Sequence, residues 1–182
     1  MILRTFFWNE ICDNYIEAIK YKFYSEDKQT REISLKNALN LFYRLLNISS
    51  VIMPFISEEI YSILFKKYTN LKLIHLENWP KPYENISEEL AGRGKLGIEI
   101  MKFLRMNKSK LQIPLNQEIS KVFILTEENQ MRDLKNLKED IKNTIRIDEL
   151  KIIDKSLENS IKEKPDLKQE VKELNISVYI FK

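Results

Sequence analysis

All three glycines of this chain, Gly92, Gly94 and Gly97, fall within six residues, and the spacing of apolar side chains changes across them. Before them the apolar residues recur at helical intervals. After them, short β-branched and aromatic runs alternate with one helical run. A chain written in two periods predicts two layers of structure, and the glycines mark the expected junction. The reading is a mainly α protein: a helical bundle over residues 1–92, then a basic helix and a small α/β (β-α-β plus extra strand) domain over 93–182.

From Arg4 to Phe23 the pattern predicts a helix whose stripe of Trp8, Cys12, Tyr15 and Ile19 packs inward. Tyr24 to Ile33 reads as polar and turn-like. Ser34 then stands where an N-cap would, ahead of Leu35, Ala38, Phe42, Leu45 and Ile52 on one face, with Pro54 as the stop. Ser57 reads as a further N-cap, because Glu58 and Glu59 follow in the first turn, where carboxylates suit the positive end of the helix dipole. Ile60, Tyr61, Leu64 and Phe65 would be the buried face. Leu71 to Pro80 reads as an extended connection closed by a Pro80-Lys81-Pro82 stop.

Ser87-Glu88-Glu89-Leu90 is a helix start, and a basic helix is expected to about Lys110. Val122–Leu125 reads as a strand, and Asn129–Ile145 as a helix with Met131, Leu134, Ile141 and Ile145 inward. Leu150–Ile153 and Ile176–Phe181 read as further strands, and Ser156–Pro165 as a loop.

Composition excludes several classes. No run approaches the ~20 apolar residues that span a bilayer, so no membrane role is expected. One cysteine, Cys12, forbids an internal disulfide, and one histidine, His75, leaves too few soft ligands for zinc; no metal site is expected and a reducing cytoplasm fits. The net charge is only +3. Residues 93–110, however, hold six basic side chains, Arg93, Lys95, Lys102, Arg105, Lys108 and Lys110, against the single acid Glu99. These are the candidate phosphate contacts for a polyanion.

Other constellations read as structural. Gly92-Arg93-Gly94-Lys95-Leu96-Gly97 fits GxGxxG, but helical residues precede it and no strand follows until Val122, so it reads as a flexible or kinked helix junction rather than a phosphate loop. Glu10, Asp13 and Glu17 share a helical side, yet Lys20 stands beside them and no partner motif supplies further ligands. Cys12 lies on the apolar stripe and reads as a small core residue rather than a nucleophile. His75 has no triad-like neighbours and reads as a partly buried packing residue. Phe6, Phe7 and Trp8 could stack on bases, but their helical spacing favours packing.

These residues carry a family resemblance. Phe7-Trp8-Asn9-Glu10, then Cys12-Asp13-Asn14-Tyr15-Ile16-Glu17 and Lys20, resemble the bundle-helix signature of valine–tRNA ligases. Met53-Pro54-Phe55-Ile56-Ser57-Glu58-Glu59-Ile60-Tyr61 is similar to a helix start shared by the valine, isoleucine and leucine enzymes. Trp79-Pro80 and Arg105 to Ser109 stand at matching intervals, and the likeness covers roughly residues 1–120. It implies a bundle that grips the anticodon arm of a valine-specific tRNA. In the full-length enzyme that bundle is joined to catalytic and editing domains, which use ATP and magnesium to attach valine.

No HIGH-type motif is present, and Asn107-Lys108-Ser109-Lys110 only superficially resembles a KMSKS loop, so no catalytic residue and no cofactor is assigned to this segment. The family's bundles open with a helix bearing an Asn, Trp and Arg-Phe pattern; the chain is expected to begin after it, leaving one wall of the bundle core open. Two rival readings remain: a helical protein-interaction module without an RNA role, and a freestanding metal enzyme built on the acidic stripe.

Overall fold

The computed structural model describes residues 2–84 and 86–182. They form two compact units, one of residues 1–11 and 22–86, the other of residues 12–21 and 87–182. The chain is mainly α with a small mixed sheet, as its two periods require.

The N-terminal run is helical throughout but not uniformly so: α1 (Ile2–Thr5) and α2 (Glu17–Phe23) flank a π-helix, Phe6–Ile16. The wider turn, with its i→i+5 bonds, rotates side chains away from a 3.6-residue stripe. The expected core stripe therefore does not form as written. Trp8 is 64% exposed, Cys12, Tyr15 and Ile19 are half-buried, and the buried positions are Asn14 and Ala18.

In the first unit, α3 (Lys28–Ser50) begins earlier than expected. Asp27 caps it by accepting from the Gln29 and Thr30 amides at 3.4 and 2.9 Å, and Ser34 lies buried inside the helix. Residues 28–33 looked turn-like because they are polar, but Lys, Gln, Arg and Glu are good helix formers on a solvent face. Helix α4 (Pro54–Leu64) takes Pro54 at its first turn, where the missing N–H costs nothing. Pro54 thus starts a helix, and Ser57 is a buried residue within it, not its cap.

The core of this unit is Leu46, Tyr61 and Ile74, with Tyr43, Ile60, Phe65 and Leu71 against it. Tyr43 meets Phe65 edge-on at 5.1 Å between ring centres. Tyr61 is fully buried, and its hydroxyl donates to the Leu71 carbonyl at 2.8 Å while also bonding Thr69. Glu58 faces back into the fold, its Oε2 accepting from the Ile74 amide at 2.9 Å. That bond fixes the 71–80 connection, which holds a 3-10 turn at Ile74–Leu76 rather than running fully extended.

In the second unit, Ser87 caps α5 (Glu88–Lys110) through the Leu90 amide, and the helix runs without a break through all three glycines. None of them has positive φ. The division between units falls before Ser87, six residues ahead of the glycine-marked junction. Strand β1 (Ile119–Thr126), α6 (Glu128–Ile145) and β2 (Ile147–Asp154) form a parallel crossover unit. Strands β3 (Leu167–Val171), unanticipated from the sequence, and β4 (Ile176–Phe181) complete a sheet of order β2-β1-β4-β3, with β4 antiparallel to both neighbours.

One sheet face buries Val122, Ile124, Val178 and Ile180 with Ile100 and Leu104 of α5 and Leu134 and Ile141 of α6. The other buries Phe123, Leu125, Tyr179 and Phe181 under Ile153 and Ile161. With both faces covered, β4 is apolar along nearly its whole length.

Candidate nucleic-acid interface

The six basic residues of α5 do not make one face. At about 100° per residue, Lys95 and Lys102 lie on one side, Lys110 about 60–80° around, and Arg93 and Lys108 on the opposite half.

Each of the latter two has a structural task. Arg93 donates through Nε to Asp133 Oδ1 at 2.9 Å and through Nη2 to Glu89 at 3.0 Å. Lys108 is 1% exposed, which removes it from any surface. Its ammonium donates to the carbonyls of Ile145, Gln117 and Leu115 at 2.7, 2.5 and 3.3 Å. Three donors thus meet three acceptors where α5, the 111–118 turn and the end of α6 converge. Burial, then the Arg146 guanidinium, pull its pKa below the ordinary lysine value, against a weaker opposite pull from Glu118.

Arg105 is half-buried. Its Nη1 donates to the Asp13 carbonyl at 3.0 Å, tying residues 12–21 to α5 inside the second unit, while its Nη2 is buried without a partner. Burial lowers its pKa, with Glu17 and Asp13 opposing. Thr144 strengthens the same tie by donating to the Ala18 carbonyl at 2.8 Å.

That leaves Lys95 and Lys110, both exposed, and Lys102, paired with Glu99 at 3.0 Å. Such half-exposed i,i+3 pairs exchange readily with solvent or a phosphate, since they contribute well under about 1 kcal/mol.

The remaining candidates are also placed. Gly92-to-Gly97 is helical from end to end, so its amides are committed to i→i−4 bonds and cannot cradle a phosphate. Glu10 belongs to one unit and Asp13 and Glu17 to the other; Glu17 pairs with Lys20 at 3.2 Å. Among the described residues no group of three or more His, Cys, Asp or Glu is placed to hold a metal ion. His75 is exposed rather than partly buried as expected, with Nε2 3.2 Å from the Ser50 carbonyl and Nδ1 3.9 Å from Glu58. Among the described residues no helix is long and apolar enough to cross a membrane.

The first unit carries an apolar groove of about 400 Å³ lined by Leu3, Phe7, Trp8, Phe42, Ile52 and Ile56 among others. The Ser57 hydroxyl at its edge is buried and unpartnered. The exposed Trp8 is among the residues that line it.

A second feature of that unit was read in the sequence as a chain stop and, at Trp79-Pro80, as part of the family likeness. Residues 77–83 are strapped to α3. Tyr43 donates to Glu77 Oε2 at 2.5 Å, Asn47 Nδ2 to the Asn78 carbonyl at 2.8 Å, and Arg44 Nη2 to the Lys81 carbonyl. The Arg44 guanidinium also stacks 4.5 Å from the centre of the Tyr83 ring. The available signal was the alternation of aromatic, basic and proline residues in Trp79-Pro80-Lys81-Pro82-Tyr83.

Residues 1–124 match a family model described as the anticodon-binding domain of tRNA ligase. The valine–tRNA ligase of Thermococcus kodakarensis is 34% identical over 174 residues, covering 94% of this chain and 18% of that protein. That of Pyrococcus horikoshii is 37% identical over 155 residues, 83% of this chain and 17% of the relative. That of Clostridium acetobutylicum is 34% identical over 127 residues, 67% of this chain and 14% of the relative. The chain thus spans only a small part of the length of these relatives.

Proposed function

The chain belongs to the anticodon-binding domain family of tRNA ligases, and from that premise we propose that it is the tRNA-binding portion of a valine–tRNA ligase. The observation that carries this reading is the run of valine–tRNA ligases aligned along most of the chain, with the family match spanning the bundle and α5. The intact enzyme, in the cytoplasm, would activate valine with ATP and magnesium and transfer it to the tRNA 3′ end on domains outside this segment. This segment holds and orients a valine-specific tRNA, a contribution to specificity through placement rather than bond making.

Lys95, Lys102 and Lys110 are the phosphate contacts of α5 in this reading, while Arg93, Arg105 and Lys108 hold the scaffold that presents them. Competition between valine tRNA and an unrelated tRNA for the chain tests it. Preference for the valine tRNA is expected, and equal binding of both would remove the specificity.

A further inference from the structure

We propose that the Trp79–Tyr83 strap, with Arg44 of α3, is a contact for an unpaired stretch of tRNA, Trp79 stacking on a base while Arg44 and Lys81 meet the adjoining phosphates. This rests on the tRNA-binding reading and names the surface through which the first unit takes part in it.

Geometry comes first. Trp79 is 61% exposed and Tyr83 62%, on a segment nevertheless tied to α3 through the Glu77 carboxylate and the backbone carbonyls of Asn78 and Lys81. Pro80 and Pro82 fix their own φ and restrict the residue before each, so Trp79 and Lys81 are both held to extended backbone. An aromatic group presented on a pinned backbone loses little freedom on binding, which favours a docking role over a loose surface residue. The two prolines also remove amide donors. The segment therefore cannot extend a sheet, and it offers rings and cations instead.

Charge selects the partner. Among the described residues neither Arg44 nor Lys81 forms an ion pair, although Glu84 follows in the sequence. Glu77 spends its two oxygens on the Tyr43 hydroxyl and the Asn78 amide. Arg44 covers one face of the Tyr83 ring, which pre-orients both groups. Exposed rings beside uncompensated cations are what sequence-tolerant stacking on single-stranded nucleic acid uses. A protein partner of the same strap would not need the free positive charge.

The chain has two tryptophans, so Trp8→Phe leaves Trp79 as the sole indole reporter. Titrating that full chain with valine tRNA is expected to quench Trp79 emission along the same curve that labelled-tRNA anisotropy gives. Trp79→Ala is expected to weaken binding ~5-fold to ~150-fold, the range for losing one base stack. Trp79→Phe should recover most of it, with unchanged thermal melting in both. Unpaired oligouridine should compete better than duplex RNA of equal length for the quench. If the tRNA binds while Trp79 emission stays flat and Trp79→Ala binds normally, the strap proposal is overturned in favour of a protein contact, and the tRNA reading stands. If neither chain binds tRNA at low salt, both fall together.

Discussion

The ammonium of Lys108 donates to the carbonyl of Ile145 at 2.7 Å, joining the end of α5 to the end of α6 across 37 residues of chain. A lysine that by sequence belonged to a phosphate-binding cluster is instead a buried clamp on three carbonyls. Lys108→Met keeps the stem but leaves those carbonyls unsatisfied. Denaturant unfolding of the variant should show a loss of about 3 kcal/mol, near the upper end for unsatisfied buried groups. tRNA affinity of the folded variant should stay close to that of the parent; a large affinity loss at unchanged stability would restore Lys108 to the binding surface.

The glycines of α5 offer an internal comparison. A Cβ at Gly92 or Gly94 meets nothing within 4 Å, whereas at Gly97 it would stand 3.2 Å from Leu137 Cδ2. Replacing a mid-helix glycine by alanine gains roughly 0.5–1 kcal/mol where space allows. Gly92→Ala and Gly94→Ala should each raise the unfolding free energy by about that amount, and Gly97→Ala should return less because Leu137 must move. If the first two lower stability, the helix bends there and the continuous α5 is wrong.

In the first unit, Tyr61→Phe removes only the hydroxyl that bonds Leu71 and Thr69. The ring still fills its place beside Leu46 and Ile74, so the expected loss is about 1–2 kcal/mol, read by thermal or urea unfolding. A loss near 4 kcal/mol would point to a collapse of the 69–74 turn instead.

Acid sensitivity has a defined sign. The carboxylates of Glu158, Asp154 and Asp27 all titrate below their ordinary values of 4.5, 3.8 and 3.8. Lys168 and the Tyr179 hydroxyl hold Glu158 down, Ser156 holds Asp154 through its side chain and then its amide, and Thr30 holds Asp27. Below those values the unfolded chain binds more protons than the folded one. The stability they lend is therefore present above about pH 4.5 and is lost as pH falls through the lower folded values. Glu158→Gln should flatten the acid limb of the urea midpoint against pH, and leave it unchanged near neutrality apart from a constant offset. An unchanged acid limb would mean that the Lys168 contact does not persist in solution.

Much of the second unit was legible from local pattern. The runs Val122–Leu125, Leu150–Ile153 and Ile176–Phe181 are strand cores, and α6 was readable from Leu134, Ile141 and Ile145. Strand β3 was not legible, because Leu167-Lys168-Gln169-Glu170-Val171 is a polar edge whose pairing with β4 is set by tertiary neighbours rather than by its own apolar content. The N-terminal stripe failed for a different reason: the π-helical turns of Phe6–Ile16 break the 3.6 period on which Trp8, Cys12, Tyr15 and Ile19 were aligned. The basic cluster on α5 was visible as composition but not as a surface. Spacing alone does not reveal that Asp133, the Asp13 carbonyl and the Ile145 carbonyl lie within reach of Arg93, Arg105 and Lys108. The attachment of Trp79–Tyr83 to α3 was not legible, because its tie to Arg44 spans more than thirty residues of sequence.

In this reading the chain binds tRNA through the three α5 lysines not held in the scaffold, Lys95, Lys102 and Lys110, of which Lys102 must leave Glu99 to do so. The most direct test is anisotropy of labelled valine tRNA with the full chain between 50 and 200 mM salt, for the parent and for a Lys95→Glu, Lys102→Glu, Lys110→Glu variant. The three α5 contacts by themselves predict a fall in affinity of at least about 20-fold to 40-fold across that range in the parent, from a slope of roughly 0.7–0.9 per contact, and the strap cations would steepen it further. The α5 contacts also predict much weaker and flatter binding in the variant. Undetectable binding at 50 mM salt, or binding that neither salt nor the three charge reversals alter, would contradict the account.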